Sequence, residues 1–506
     1  MKYKNPIIPG FYPDSSICRK GEDYYLVASS FEYFPGVPIF HSKDLVNWEQ
    51  IGNCLTRKSQ LNLENVESSA GIYAPTIRYN PHDDLFYMVT TNVSNIGNFY
   101  VYAKEPSGEW SEPILVEQDG IDPSLFFDDE GVAHFISNSR DANVEKAGFR
   151  MAPIDIKTGK FLKPPMPLWG GIGSYAPEAP HIYQANGWFY QLIAEGGTEI
   201  NHMVTIARSR ELYGNYEPCP FNPILTHRDK KWHFIQAVGH ADLVEDGNGN
   251  WWAVFLGVRI TQSFFHHLGR EVFLAPVNWA DDWPIINAGK LIEIDMEVNI
   301  NDNIIQNRKT EYKTDFRTGI SHEWVHLRNP LDGSYRHDEN GLYLTGNALT
   351  LTDEANPAFV GFRQRDLDSL IEIDMEFTPK ADCEEAGVTV FYKYDSHFDF
   401  YISKQDKTTY LSLRKVVGDI THIQSKIPVN SNEVTLKIKS DRLKYYFYAI
   451  IEGVEIFVGE ALTRFVSKEA NTRAFTGTLY ALYATGNGRL SSSEARFIRF
   501  LYQGND

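Results

Sequence analysis

The sequence predicts an all-β chain in two parts: a five-bladed β-propeller over residues 1–297 and a β-sandwich over 313–506, joined by a linker at 298–312. Three observations predict it. Helical periodicity is scarce, and short apolar runs bounded by Gly, Asp, Asn and Pro dominate. A weak motif recurs five times in the first half, at the roughly 50–60-residue spacing of propeller blades. In the second half, runs with alternating burial pattern follow one another at regular turns. Aromatic residues make up 14% of the chain, which suits strands.

The five copies start at Pro13 (PDSSICRKGEDYYLVAS), Tyr73 (YAPTIRYNPHDDLFYMVTT), Ile121 (IDPSLFFDDEGVAHFIS), Pro177 (PEAPHIYQANGWFYQLIA) and Gly239 (GHADLVEDGNGNWWAVFLG). Each runs from small or polar residues into a short apolar strand, a turn rich in Gly, Asp or Asn, and a second strand with an aromatic pair. In a propeller the innermost strand of every blade lines the central axis. Matched positions therefore converge, and the matched positions here are Asp14, the Ala74–Pro75 region, Asp122, Glu178 and His240. The segment VNINDNIIQNRKTEY at 298–312 is polar and reads as the linker. Beyond it, NEVTLKIKS alternates Val434, Leu436 and Ile438 with polar neighbours, a strand with one buried face. LIEIDMEF, VTVFYKY, YLSLRKV, YYFYAII and FIRFLY read the same way.

The formal net charge is −18, which argues against nucleic acid and anionic membranes as partners, because both need a basic footprint. The four cysteines, Cys18, Cys54, Cys219 and Cys383, form no C-x-x-C pair and read as free thiols in a reducing compartment. The N-terminal stretch MKYKNPIIPGFYPDSS has no long apolar segment of the signal-peptide kind, and no run reaches the roughly 20 apolar residues of a membrane helix. A cytoplasmic location is the expectation. Association into a homo-oligomer is compatible with this composition, but no interface can be read from the sequence.

Three carboxylates in one funnel point to chemistry. Hydrolysis of a glycosidic bond needs one protonated carboxyl to donate to the leaving oxygen and one ionised carboxyl to activate water or to attack. A third acidic group nearby keeps the donor protonated by like-charge repulsion. Asp14, Asp122 and Glu178 supply the three parts. Singly, each has a blander reading: Asp14 before Ser15–Ser16 and Asp122 before Pro123 are ordinary turn residues, and Glu178 could stand on a surface. Their joint placement is what favours chemistry. The stretch DGNGN reads as a β-turn rather than a calcium loop, and Asp44 and Asp242 read as structural.

At this point the sequence resembles glycoside hydrolase family 43, the β-xylosidases and α-L-arabinofuranosidases. The resemblance rests on NPIIPGFYPDSSICRKGEDYYLVASSFEYFPGVPIFHSKDLVNWEQIG, GIYAPTIRY, GIDPSLFFDDEG, PEAPHIY, AEGGTEINHMVTIARS, GHADLVEDGNGNWWAVFLG, HLGREVFLAPVNW and FTGTLYALYATGNG. It implies a five-bladed propeller followed by a concanavalin-like β-sandwich. It also implies an inverting, exo-acting hydrolase that releases xylose from the non-reducing end of short β-1,4-xylo-oligosaccharides, with arabinofuranose as a second sugar. On this resemblance Asp14 is the general base, Glu178 the general acid and Asp122 the residue that orients the acid and raises its pKa. Phe31 and Tyr73 are sugar-facing walls; many relatives carry Trp where Tyr73 stands. Arg270 resembles the arginine that reaches substrate hydroxyls and the catalytic carboxylates. Glu195 is the reserve candidate for the acid, and the EGG at 195–197 a part of the pocket wall. His240 resembles a histidine that in part of the family helps hold calcium, mostly through waters. The alternative is a metal-free His240 hydrogen-bonded beneath the acid, and no cofactor is required for the chemistry. The second domain is expected to close one side of the pocket, against a carbohydrate-binding role. Rival functions are α-L-arabinofuranosidase as the main activity, a retaining fructan or sucrose hydrolase, whose WMNDPNG, RDP and EC motifs are not seen here, and a non-catalytic sugar-binding propeller.

Overall fold

A computed structural model of the chain describes residues 1–139, 148–298 and 304–505. Among these the elements are strands and four single 3-10 turns. Five antiparallel sheets follow one another in the first part, four of them with four strands and one, the fourth, with an additional short strand, each a blade whose main strands run outward in chain order. The innermost strands are Ser16–Lys20, Ile72–Asn80, Ile121–Phe127, Glu178–Ala185 and Ile235–Glu245. They belong to blades I to V, in that order. The N-terminal segment closes the ring. Lys2–Lys4 pairs with Asp295–Glu297, and the Asn5 side chain both donates to the Leu274 carbonyl and accepts from its N–H on blade V.

The first sandwich strand, Glu311–Asp315, starts two residues inside the expected linker and pairs with Glu494–Gly504. Residues 299–303 of that linker lie outside the described residues. Residues 304–310 are fastened to the propeller rather than free: Gln306 bonds Lys4, and Asn307 bonds Asn47. Ile371, Ile373 and Met375 alternate with half-buried neighbours in Ser369–Glu376 and fill the space between the two sandwich sheets. Glu385–Lys393 is instead buried at every position. Its two faces meet different partners: Val388, Val390 and Tyr392 enter the sandwich core, while Phe391 turns toward the propeller.

The two parts share a sheet. Tyr33–Phe34, from a loop of blade I, pairs with Trp324–Leu327 and becomes the edge strand of one sandwich sheet. Around it a common core joins Phe11, Phe31 and Tyr33 of the propeller to Val325, Leu327, Phe359, Phe391, Leu479 and Tyr483 of the sandwich. Each such aromatic side chain gains roughly 1.5–3 kcal/mol by full burial. A chain ending at residue 310 would expose these rings and leave an unpaired edge. It is expected to aggregate or to lose activity, measured as soluble yield, sedimentation and turnover. A soluble, active propeller would show that closure by the second domain is dispensable.

Candidate active site

The axial residues sit on a backbone irregularity that repeats from blade to blade. On the innermost strands of blades II to V, the pairs Tyr73/Thr76, Ile121/Ser124, Glu178/His181 and Gly239/Asp242 face partners only two residues apart. One extra residue is inserted each time, a β-bulge that re-aims the side chains beside it. Asp122, Ala179 and His240 occupy the bulge at φ of 54°, 53° and 50°, and Asp14 has φ of 56° at the head of blade I. The left-handed region is costly for residues with a Cβ, so these conformations are held by the surrounding sheets.

This register corrects the expected equivalence. Glu178 matches Tyr73, Ile121 and Gly239, and it is Ala179 that matches Asp122 and His240. The Glu178 carboxyl therefore comes from the residue before the bulge. Its carboxylate still reaches the axis: one donor atom each from Asp122, Glu178 and His240 lie within 4.8 Å of one another. Asp14 joins from the side of His240, whose Nδ1 is 3.7 Å from Asp14 Oδ1. The three acids named from the sequence thus gather in one pit. Asp14, Asp122 and His240 are buried, while the Glu178 side chain keeps 19% exposure.

Asp14 is held by two donors. Arg270 donates to Oδ1 at 2.5 Å and the Ser29 hydroxyl to Oδ2 at 2.7 Å. Burial alone would push this carboxyl up, but the Arg270 guanidinium, His240 and the Ser29 bond outweigh it and leave it below its ordinary value. Asp14 is accordingly ionised. Asp122 goes the other way: burial, the Glu178 carboxylate and the Asp14 charge push it well above the usual carboxylate range. The two carboxyls titrate together rather than singly, and Glu178 is the member that keeps some exposure. Removing the Asp122 carboxyl removes a repulsion that favours a proton on Glu178. Asp122→Asn is expected to move the basic limb of the kcat/KM profile down by about one pH unit or more, read from rates between pH 4 and 9. An unmoved basic limb would separate Asp122 from the acid.

The walls combine both domains. Phe31 and Tyr73 meet at a centroid distance of 5.3 Å, and both contact Phe475 of the sandwich, at 6.1 and 6.2 Å. The Arg270 guanidinium lies 5.7 Å from the centroid of Phe31 and 5.9 Å from that of Phe475, and also donates to Thr198 Oγ1. Phe475 is tied down by its N–H to Ser69 Oγ at 3.0 Å. The sequence reading missed it, because nothing in FTGTLYALY marks one aromatic as facing a site in the other domain. Beside Arg270 a cavity of about 240 Å³ opens between Thr198–Ile200 of the propeller and Lys468–Thr476 of the sandwich. Arg270 lines this cavity and bonds Asp14, while Asp14, Asp122 and Glu178 are not among its lining residues.

His202 was also missed. It is fully buried, with Nε2 3.8 Å from Glu178 Oε1 and Nδ1 3.2 Å from the Ala237 carbonyl oxygen. Burial pushes its pKa down to about 3, so the ring is neutral. A Cβ at Gly239 would stand 2.5 Å from this ring, which explains why the position matching Glu178 in blade V carries no side chain. His240, the histidine expected beneath the acid, has its Nδ1 3.7 Å from Asp14 Oδ1, too long for a hydrogen bond to that carboxylate.

Glu195 is unsuited as a reserve acid. It is fully buried and accepts from Ile172 N–H, Ser174 N–H and the Thr205 hydroxyl, pinning the loop before Glu178. Asp242 is an interior anchor, bonded to Arg78, Ser16 and Tyr183. Asp44 caps a turn through Val46 and Asn47, and Asp246 closes the DGNGN turn through Asn248 and Asn250.

Comparison with known proteins agrees with this architecture. Residues 3–284 match the profile of glycosyl hydrolases family 43, and residues 313–503 that of the beta xylosidase C-terminal concanavalin A-like domain. The chain is 38% identical over 504 residues to a non-reducing end alpha-L-arabinofuranosidase of Bacteroides ovatus, covering 98% of this chain and 93% of that one. It is 38% identical over 517 residues to a xylosidase/arabinosidase of Butyrivibrio fibrisolvens, covering 98% of each. A xylan beta-1,4-xylosidase structure from Bacillus halodurans superposes with a TM-score of 0.91 at 31% identity, covering 99% of this chain and 100% of that one. With both domains matched, and the three acids converging where the blades meet, the chain belongs to family 43 of the glycosyl hydrolases.

Proposed function

We propose that this hydrolase releases single pentose units, chiefly xylose, from the non-reducing end of short β-1,4-xylo-oligosaccharides with inversion at the anomeric carbon. The observation that carries the reading is the division of the pit into two electrostatic halves. Asp14 is held ionised by Arg270 and Ser29, while burial and the neighbouring Glu178 hold Asp122 well above the usual carboxylate range. A pit walled by Phe31, Tyr73 and Phe475 suits one terminal sugar. The cavity beside Arg270 gives room for the rest of the chain.

In the reaction, Asp14 takes a proton from a water on one face of the anomeric carbon. Glu178 donates its proton to the leaving oxygen on the other face. Arg270 fixes Asp14 and offers its remaining donors to sugar hydroxyls. Acid and base assistance each contribute roughly 10²–10⁴-fold.

The test is the anomer released first. Xylobiose followed by NMR should give α-xylose before mutarotation; β-xylose first would indicate retention, and no release would favour a binding protein. A second reading, arabinofuranosidase as the main activity, is favoured by the Bacteroides ovatus relative. Rates on the two nitrophenyl pentosides decide between them.

Calcium near His240 fits the residues poorly. The ion takes six to eight oxygens, whereas the donors here are one imidazole nitrogen and two carboxyls, one of them held well above the usual carboxylate range. No step is routed through a metal. Turnover after dialysis against a chelator tests this. A cytoplasmic location remains part of the proposal, supported by four free cysteines. No helix among the described residues is long and apolar enough to cross a membrane.

A further inference from the structure

Arg363 is 1% exposed and lies in the interface between propeller and sandwich. Its Nε and both terminal nitrogens have no hydrogen-bond partner. The guanidinium stands 4.7 Å from the centre of the Tyr12 ring and 5.5 Å from that of Phe11. Two rings soften its charge but accept none of its hydrogen bonds.

The neighbours make the imbalance specific. The Tyr12 and Tyr33 hydroxyls are buried and make no hydrogen bond of good geometry, and both phenols lie within reach of the Arg363 charge, Tyr12 the more closely. Arg365, 7% exposed, spends one terminal nitrogen on Glu323 and leaves its Nε without a partner. Arg308 is paired with Asp366. Arg365 thus has one carboxylate and Arg308 another, while Arg363 has none. One positive charge in this cluster is uncompensated, and an unpaired buried charge is among the costliest features a fold can carry.

Open space lies close to it, on the far side of Tyr12. A cleft of about 510 Å³ runs between the propeller, residues 306–309 and the sandwich, and Tyr12 and Arg365 form part of its wall. Tyr12 therefore has the open cleft on one side and Arg363 on the other.

We propose that one small monovalent anion, with the size and chemistry of chloride, sits at the inner end of this cleft between Arg363, Arg365 Nε and the Tyr12 hydroxyl. One negative charge balances the cluster, and the ion accepts from several donors that otherwise stay unmade. The site ties the domains together at a sensitive place. Tyr12 donates its N–H to the Arg270 carbonyl at 3.1 Å, and Asp14 follows two residues later. The ion is a wedge that holds the segment carrying the base, and it takes no part in the reaction.

The test uses the full chain. Crystals soaked in bromide should show an anomalous peak within hydrogen-bond reach of Arg363 and Tyr12. In solution, Tm should rise in chloride or bromide relative to gluconate at equal ionic strength. The rise should saturate at millimolar halide and amount to roughly 2–4 °C or more. Arg363→Met should abolish the halide-dependent part of Tm. If that variant does not fold, Tyr12→Phe should raise the halide midpoint several-fold. An ordered water in place of the anomalous peak, or an Arg363→Met or Tyr12→Phe protein whose halide response matches the parent, would overturn the proposal.

Discussion

Asp14→Asn is expected to lower kcat/KM on xylobiose by about 10³-fold or more, and to do so equally on aryl xylosides with good leaving groups. The amide keeps the shape of the carboxylate and can still meet Ser29, but it cannot take a proton from water. Water must be activated whatever group departs, so a better leaving group offers no rescue. Arg270 loses its charged partner, yet keeps Thr198 Oγ1 and the Phe475 carbonyl, so the pocket should stay formed and substrate binding change little. The acid limb of the pH profile carries the same information. Asp14 is ionised below the ordinary carboxylate range, so the parent enzyme should hold its rate as pH falls until that depressed pKa is crossed. Single-turnover rates with xylobiose and an aryl xyloside, at matched pH, check both points. A variant that retains parental turnover would falsify the base assignment.

Glu178→Gln is expected to behave differently. On xylobiose, whose leaving group needs a proton, the loss should again be about 10²–10⁴-fold. On an activated aryl xyloside it should shrink to about tenfold or less, because little protonation is required. The contrast between the two variants separates the roles more sharply than either loss alone. Glu178 is also 3.8 Å from the neutral His202, so the substitution places an amide beside an imidazole without burying an unpaired charge. Circular dichroism and Tm should stay close to parental values. Equal losses on both substrates would move the acid role elsewhere.

Much of this was legible in the sequence. The spacing of five hairpin motifs gives the propeller, and alternation such as Val434, Leu436 and Ile438 gives the sandwich, because burial of one sheet face imposes a period of two on the residues. Asp14, Asp122 and Glu178 could be picked out because a repeat brings matched positions of distant segments to one axis. Other features were hidden for physical reasons. The one-residue offset of Glu178 depends on a bulge in the backbone, and a bulge leaves no fixed residue type behind. Phe475, His202 and the unpartnered Arg363 acquire their roles from side chains far along the chain, so no local pattern marks them.

The sequence by itself determined the strand pattern, the blade count and the identity of the carboxyl groups, since these follow from periodicity and from what each residue can ionise. Tertiary structure alone decided that Asp14 is held below the ordinary carboxylate range and Asp122 above it, because that depends on distance and burial. It also decided that Tyr33–Phe34 leaves the propeller to complete a sheet of the sandwich, because strand pairing is set between backbones, and local side chains cannot announce a partner as distant in the chain as His326 and Leu327.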